Sequence, residues 1–183
     1  MQKPLHVHKI AMEVAHLLRA SLPKTVEIKI SSPETIGRIN GNAEQIYQVF
    51  INLCINAYHA LPEEGGRIDI HIAETEIHDE AVEKKKDSPQ NQYLVIDVVD
   101  NGKGMEPEIL KSIFSNYFTT KPEGSGSGIG LTIVRDIISK HHGDISVCSQ
   151  IGKGSRFRIL LPLIISDQKN EEILKDSPEL VLG

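Results

Sequence analysis

The stretch from Tyr93 to Asp100, which runs without a break into Asn101-Gly102-Lys103-Gly104-Met105, constrains the fold more than any other part of the chain. Tyr93 to Val99 is an apolar, β-branched run interrupted only by Asp97, and a glycine-rich turn bounds it; that is the pattern of a buried strand. A second glycine-rich turn, Gly124-Ser125-Gly126-Ser127-Gly128-Ile129-Gly130, leads straight into Leu131–Ile138, which reads as a helix. One turn closes a strand and the other opens a helix. Glycine lets another group approach the backbone closely. A helix start offers unpaired N–H groups and the positive end of a dipole, which suits phosphate. Together the two turns point to a nucleotide site.

The remaining segments supply a sheet and its helices. Residues 5–20 read as a helix through Val7, Ile10, Met12, Val14, Leu17 and Leu18, with Pro23 ending the run. Val26–Ile30 alternates and reads as a strand, Ser31-Ser32-Pro33 breaks it, and Ile36–Ile39 is a short second strand. Asn42 is an expected N-cap, with Gln45 as its capping-box partner, for a helix that stops at Pro62. Arg67–Ile77 alternates, and residues 78–92, with Glu83-Lys84-Lys85-Lys86-Asp87 and Pro89, read as a solvated, mobile hairpin loop. A helix over 129–142 ends at Gly143, and Gly152-Lys153-Gly154 joins the strands Asp144–Ser149 and Arg156–Leu161. Strands in adjacent pairs predict hairpins, with helices packed on one face of a mixed, mostly antiparallel sheet. The class is α+β, a two-layer α/β sandwich. Residues 1–162 read as one domain and residues 163–183, acidic and weakly periodic, as a tail or linker.

A net charge of −5 gives no basic footprint, so nucleic acid is not an expected partner. No apolar run approaches the length of a membrane span, so no membrane contact is expected of this fragment, and no signal peptide is visible. Cys54 and Cys148 share no metal-type spacing and read as reduced core residues, which fits a cytoplasmic setting.

The helix over 42–61 carries an unusual polar face. Its apolar stripe is Ile46, Val49, Phe50, Leu53, Ala57, Ala60 and Leu61, while Gln45, Gln48, Asn52, Asn56 and His59 share another side. A merely solvated face would use Glu, Lys and Arg, because Asn is a poor helix former. Two asparagines one turn apart therefore point to a role. An amide oxygen is a neutral, hard ligand suited to Mg²⁺, and an amide also bonds phosphate or water.

At this point several stretches align with one family. Asn52-Leu53-Cys54-Ile55-Asn56-Ala57 resembles the N box of sensor histidine kinases, Asp100-Asn101-Gly102-Lys103-Gly104-Met105 their first Gly box, and Ile113–Lys121 their F box. Gly126-Ser127-Gly128-Ile129-Gly130-Leu131 is similar to the second Gly box, and Gly152-Lys153-Gly154-Ser155-Arg156-Phe157 to the small glycine-rich turn near the end. The resemblance implies the Bergerat-type ATP-binding fold shared with type II topoisomerases, Hsp90 and MutL. It implies that Asn56 coordinates the Mg²⁺ that bridges the phosphates, and that Asn52 lies near the phosphates or the metal's waters. Asp100 would accept a hydrogen bond from the adenine amino group, favouring adenine over guanine. Gly102 and Gly104 would let the backbone close around the base. Residues 105–127 would form a mobile ATP lid, and Gly126, Gly128 and Gly130 would present backbone N–H groups to the phosphates. Phe118, Thr119, Lys121, Ile129, Leu131 and Ser155 complete the expected ATP/ADP contacts. His59 stands where many members carry a basic residue. His141 and His142 sit at a helix end, where partial positive charge is favourable, and no catalysis is expected of them.

The implied activity is phosphoryl transfer from ATP to a histidine on a separate dimerisation domain, in two-component signalling with a response regulator or receiver domain downstream. None of the eight histidines fits the family's phosphoacceptor motif, so the chain reads as a catalytic domain cut from a larger kinase. Hydrolysing relatives place a Glu one turn before the metal-binding Asn. Asn52 occupies that place here and cannot take a proton at neutral pH. Slow hydrolysis is therefore expected. A non-catalytic nucleotide-sensing or scaffold module with the same fold is the alternative reading.

Overall fold

The computed structural model describes residues 2–33, 35–76, 92–115 and 128–164. In chain order the elements are β1 (Lys3–Leu5), α1 (Val7–Ser21), β2 (Val26–Ser31), β3 (Ile39–Gly41), α2 (Ala43–Ala60), β4 (Gly66–Glu76), β5 (Gln92–Asp100), α3 (Pro107–Leu110), α4 (Gly130–Lys140), β6 (Asp144–Gln150) and β7 (Gly154–Pro162).

Strand alternation decides which way the main sheet faces. Ile68, Ile70 and Ile72 of β4, Leu94, Ile96 and Val98 of β5, and Phe157, Ile159 and Leu161 of β7 all point inward and are buried. They form one core with Ile10, Ala11, Val14, Ala15 and Leu18 of α1, Ile46, Val49, Phe50, Leu53 and Ala57 of α2, and Val134, Ile137 and Ile138 of α4. The outer face is polar. There Asp97 and Arg158 are direct cross-strand partners, and the guanidinium donates to both carboxylate oxygens at 2.8 and 2.7 Å. The expected two-layer α+β sandwich is therefore what the chain forms.

The five-stranded sheet has the order β2-β4-β5-β7-β6, with β2 and β4 parallel and the other pairs antiparallel. This corrects one hairpin. The two strands before α2 do not pair with each other: β2 ends at Ser31, just before Pro33, and the next strand lies in another sheet. The second starts at Ile39 rather than Ile36 and pairs with β1 in a separate two-stranded sheet. β2 then meets β4 after the α2 crossover, the kind of long connection that a parallel pair requires. β1 was not expected at all. Three residues ahead of a helix carry too little alternation to read.

The β4–β5 pair closes at Glu76 and Gln92, and the expected hairpin loop between them lies outside the described residues. Leu163 is buried, its N–H bonds Gln92 O, and it bridges Ile39; the Ile164 N–H bonds Arg38 O. Cys54 is a core residue whose thiol burial pushes up to about 12. Cys148 is exposed, because it sits on the outward-facing phase of β6, so only one of the two cysteines is in the core. No helix among the described residues is long and apolar enough to cross a membrane.

Candidate functional site

The site begins where the inward row of β5 runs out of apolar side chains. Leu94, Ile96 and Val98 occupy the inward phase, so the next inward position is Asp100, which is 4 % exposed. Its cross-strand partner on β7 is Ser155, also buried, at the start of the row that continues with Phe157 and Ile159. Two polar side chains therefore end two apolar rows at the same edge. Burial raises the Asp100 pKa, and the backbone N–H groups of Gly102 and Ser155 oppose that rise by favouring the charged form. The Gly102 N–H donates to Asp100 Oδ1 at 2.9 Å.

The loop after Asp100 is tied down on both sides. The Lys103 N–H donates to Ala60 O at the end of α2, and Lys103 O accepts from the Gly152 N–H in the β6–β7 turn. A Cβ on Gly102 would stand 2.3 Å from Ala60 O. Gly104 has φ +70°, and a Cβ there would stand 2.0 Å from Gln150 O. Both glycines are thus required by the protein's own packing. Ser149 completes the clasp: its Oγ accepts from the Met105 N–H at 2.9 Å and lies 3.0 Å from both Gly154 O and Ser155 Oγ. Asn101 also has a structural task, since its Oδ1 accepts from the Arg67 N–H at 2.7 Å and extends the β4–β5 pairing.

α2 runs from this loop to the other end of the site. Ala60, Asn56 and Asn52 are successive turns on one face, a line of about 12 Å at 1.5 Å rise per residue. Ala60 O holds the Asp100–Met105 loop, Asn56 is half-buried, and Asn52 reaches the start of α4, where an ideal Cβ on Gly130 would lie 3.6 Å from Asn52 Oδ1. Here the hydrogen bonding is unfinished. Asn52 Nδ2 is buried with no partner among the described residues. Among the described residues a Cβ on Gly130 would meet nothing closer than Asn52, so their packing does not demand a glycine there. Gly128 has φ +63°, and Leu131 is half-buried on the first turn of α4. A buried amide N–H left without a partner costs about 1–3 kcal/mol, so a group that accepts from Asn52 Nδ2 fits this end.

Residues 41–165 match the family described as histidine kinase-, DNA gyrase B-, and HSP90-like ATPase. The chain belongs to that family. It is an ATP-binding catalytic domain of the sensor histidine kinase type. It is 33 % identical over 168 residues to sensor kinase CckA of Brucella abortus and 34 % identical over 174 residues to sensor histidine kinase ZraS of Salmonella typhi. Those alignments cover 92 % and 91 % of this chain but only 18 % and 34 % of the relatives. The catalytic domain of histidine kinase ThkA in a nucleotide-free form superposes with a TM-score of 0.70 at 25 % identity, covering 89 % of this chain and 96 % of that one.

In this ATPase-type domain the structure gathers Asp100, Gly102, Gly104 and Ser155 at one end and Asn52, Gly128, Ile129, Gly130 and Leu131 at the other, with Asn56 between them on α2. Phe118, Thr119, Lys121 and Gly126 lie outside the described residues. Of the stretch expected as lid, residues 105–115 are described and include α3 and the buried Ile113. His59 is exposed, with its ring against Tyr58. Sequence reasoning missed Ser149, whose role follows from strand register, and His141, which is 3 % exposed. No group of three or more His, Cys, Asp or Glu side chains among the described residues could hold a metal alone.

Proposed function

We propose that this domain holds Mg-ATP along the α2 face and presents its γ-phosphoryl group to a histidine on a separate dimerisation domain of a two-component sensor kinase. A response regulator or receiver domain would lie downstream. The observation that carries the reading is the buried Asn52 Nδ2, unpartnered among the described residues, on a side chain that meets Gly130 through Oδ1, at the opposite end of one helix face from the Asp100 carboxylate.

In this reading Asp100, an acceptor-only group when ionised, takes a hydrogen bond from the adenine amino group and rejects guanine, whose carbonyl would face it. Gly102, Gly104 and Ser155 shape the wall around the base. Asn52 donates through Nδ2 to a phosphate oxygen or to a metal-bound water. Gly128, Gly130 and the start of α4 give the phosphates backbone donors, with Ile129 and Leu131 fixing that turn. Asn56 supplies an amide oxygen to Mg²⁺, which when bound neutralises phosphate charge. Phe118, Thr119, Lys121 and Gly126 close over the nucleotide as part of the lid. Phosphoryl transfer is mostly positioning and charge stabilisation, so the domain needs no base of its own. Asn52 also supplies none for water, which keeps hydrolysis slow. The domain acts in the cytoplasm.

The test is transfer of label from γ-labelled ATP to a supplied helical dimerisation domain carrying the acceptor histidine. Acid-labile label on that domain, none on this chain, and hydrolysis well below one turnover per second, the low end of ordinary enzyme rates, are expected. Stable label on a histidine of this chain, or ATP binding without transfer to any of several partners, would overturn the reading; the second result would favour a nucleotide-sensing module.

A further inference from the structure

α2 and α4 run antiparallel and pack together through the shared core, and two polar approaches stand at the ends of that packing. One is the Asn52–Gly130 approach described above. The other lies at their far ends, where the Asn42 N–H donates to His141 Nε2 at 3.1 Å. Asn42 to Asn52 and Gly130 to His141 are near-equal stretches, about 15 and 16 Å at 1.5 Å per residue, so the two contacts close a quadrilateral between the helices.

His141 is built into this corner rather than resting on it. The ring is buried, and Nδ1 lies 2.7 Å from Ile137 O. Ile137 O can only accept and the Asn42 N–H can only donate, so Nδ1 carries the hydrogen and Nε2 is the acceptor. A Cβ on Gly41 would stand 2.7 Å from the ring, so the residue next to Asn42 leaves the imidazole its space. Asn42 Oδ1 meanwhile accepts from the Glu44 and Gln45 N–H groups. The expected capping box is therefore only half made within α2. The bond that Gln45 would return to the Asn42 N–H comes instead from α4.

We infer that His141 is a positioning residue for the phosphate end of the nucleotide site: its neutral ring pins the start of α2 to the end of α4 and thereby sets where Asn52 meets the first turn of α4. The inference rests on the nucleotide-site reading above. The adenine end hangs on Ala60, Gly152 and Ser149, none of which touches this corner. Loss of the His141 bond should therefore act on the phosphate end alone.

The experiment compares ATP and adenosine binding by calorimetry, with Mg²⁺, in the unmodified chain, in His141→Leu and in His141→Gln, whose side-chain oxygen can replace Nε2 as acceptor. The expected result is ATP affinity about tenfold weaker in His141→Leu, adenosine affinity unchanged, and ATP affinity restored in His141→Gln. ATP and adenosine affinities that fall together, or that both stay level, would overturn the inference. So would a His141→Gln variant as weak for ATP as His141→Leu. If His141→Leu does not fold, long-range ¹H–¹⁵N spectra of the unmodified chain decide. The Nδ1–H tautomer with a coupling from Nε2 to the Asn42 amide is expected, and the Nε2–H tautomer would overturn it. Failure of the unmodified chain to bind ATP would instead strike the nucleotide-site reading.

Discussion

The two ends of the site are built in opposite ways. Around Asp100 nearly every polar group already has a partner: the carboxylate takes the Gly102 N–H, the Lys103 N–H takes Ala60 O, and Ser149 holds both Met105 and the Gly154–Ser155 turn. Around Asn52 a buried amide nitrogen has no partner among the described residues, and a Cβ on Gly130 would meet only Asn52 among them. A preformed wall that recognises one base loses little entropy on binding. An end left short of hydrogen bonds gains most from a ligand that brings its own oxygens. The start of α2, by contrast, is closed within the protein by Asn42 and His141.

The largest way to break the contrast is Asp100→Asn. ATP affinity should fall by about 100-fold or more, in line with a site whose buried acceptor has been turned into a donor. The folded chain should not suffer. Because burial raises the Asp100 pKa, its contribution to stability is full at pH below the unfolded carboxylate range. That contribution is lost as pH rises through the raised folded value, so at neutral pH the charge is a cost. Asp100→Asn without nucleotide should melt no lower than the unmodified chain at pH 7, and the gap should close as the pH is taken down into the carboxylate range. A variant that melts well below the unmodified chain at pH 7 would make Asp100 a structural residue.

Gly104→Ala should damage the fold first. The side chain would meet Gln150 O at a positive φ, and melting should report a loss of about 1–3 kcal/mol. Asn52→Ala should do the reverse. It removes a buried amide nitrogen that has no partner among the described residues, so the empty chain should be as stable or slightly more stable, while ATP binding weakens about tenfold. Equal ATP affinity in Asn52→Ala would remove the strongest support for the phosphate end. The smallest effect is expected from Gly130→Ala. Its Cβ fits the protein, so the fold should be unchanged, with ATP affinity down a few-fold and adenosine affinity level. A drop in both, or a loss of fold, would show that this glycine serves packing rather than a ligand.

Much of this was readable in the residues themselves. The amide face of α2 stood out because Asn is a costly choice on a helix, and the inward row of β5 could be followed by counting twos from Leu94 to Asp100. What could not be read was set by contacts between distant segments. The parallel β2–β4 pair depends on where the chain goes after Pro33, which no local pattern records. His141 looks like an ordinary helix-end histidine until α2 is placed beside it, and Ser149 matters only because strand register brings it against Met105 and Ser155. The two asparagines announced themselves by being out of place, whereas His141 and Ser149 look at home in their own segments.

The most direct test of the account is a calorimetric titration of ATP, GTP and adenosine into the unmodified chain, with and without Mg²⁺. The account predicts that ATP binds and tightens with Mg²⁺, that adenosine binds more weakly and ignores the metal, and that GTP does not bind. GTP binding as tightly as ATP, or ATP binding no better than adenosine with Mg²⁺ present, would contradict it.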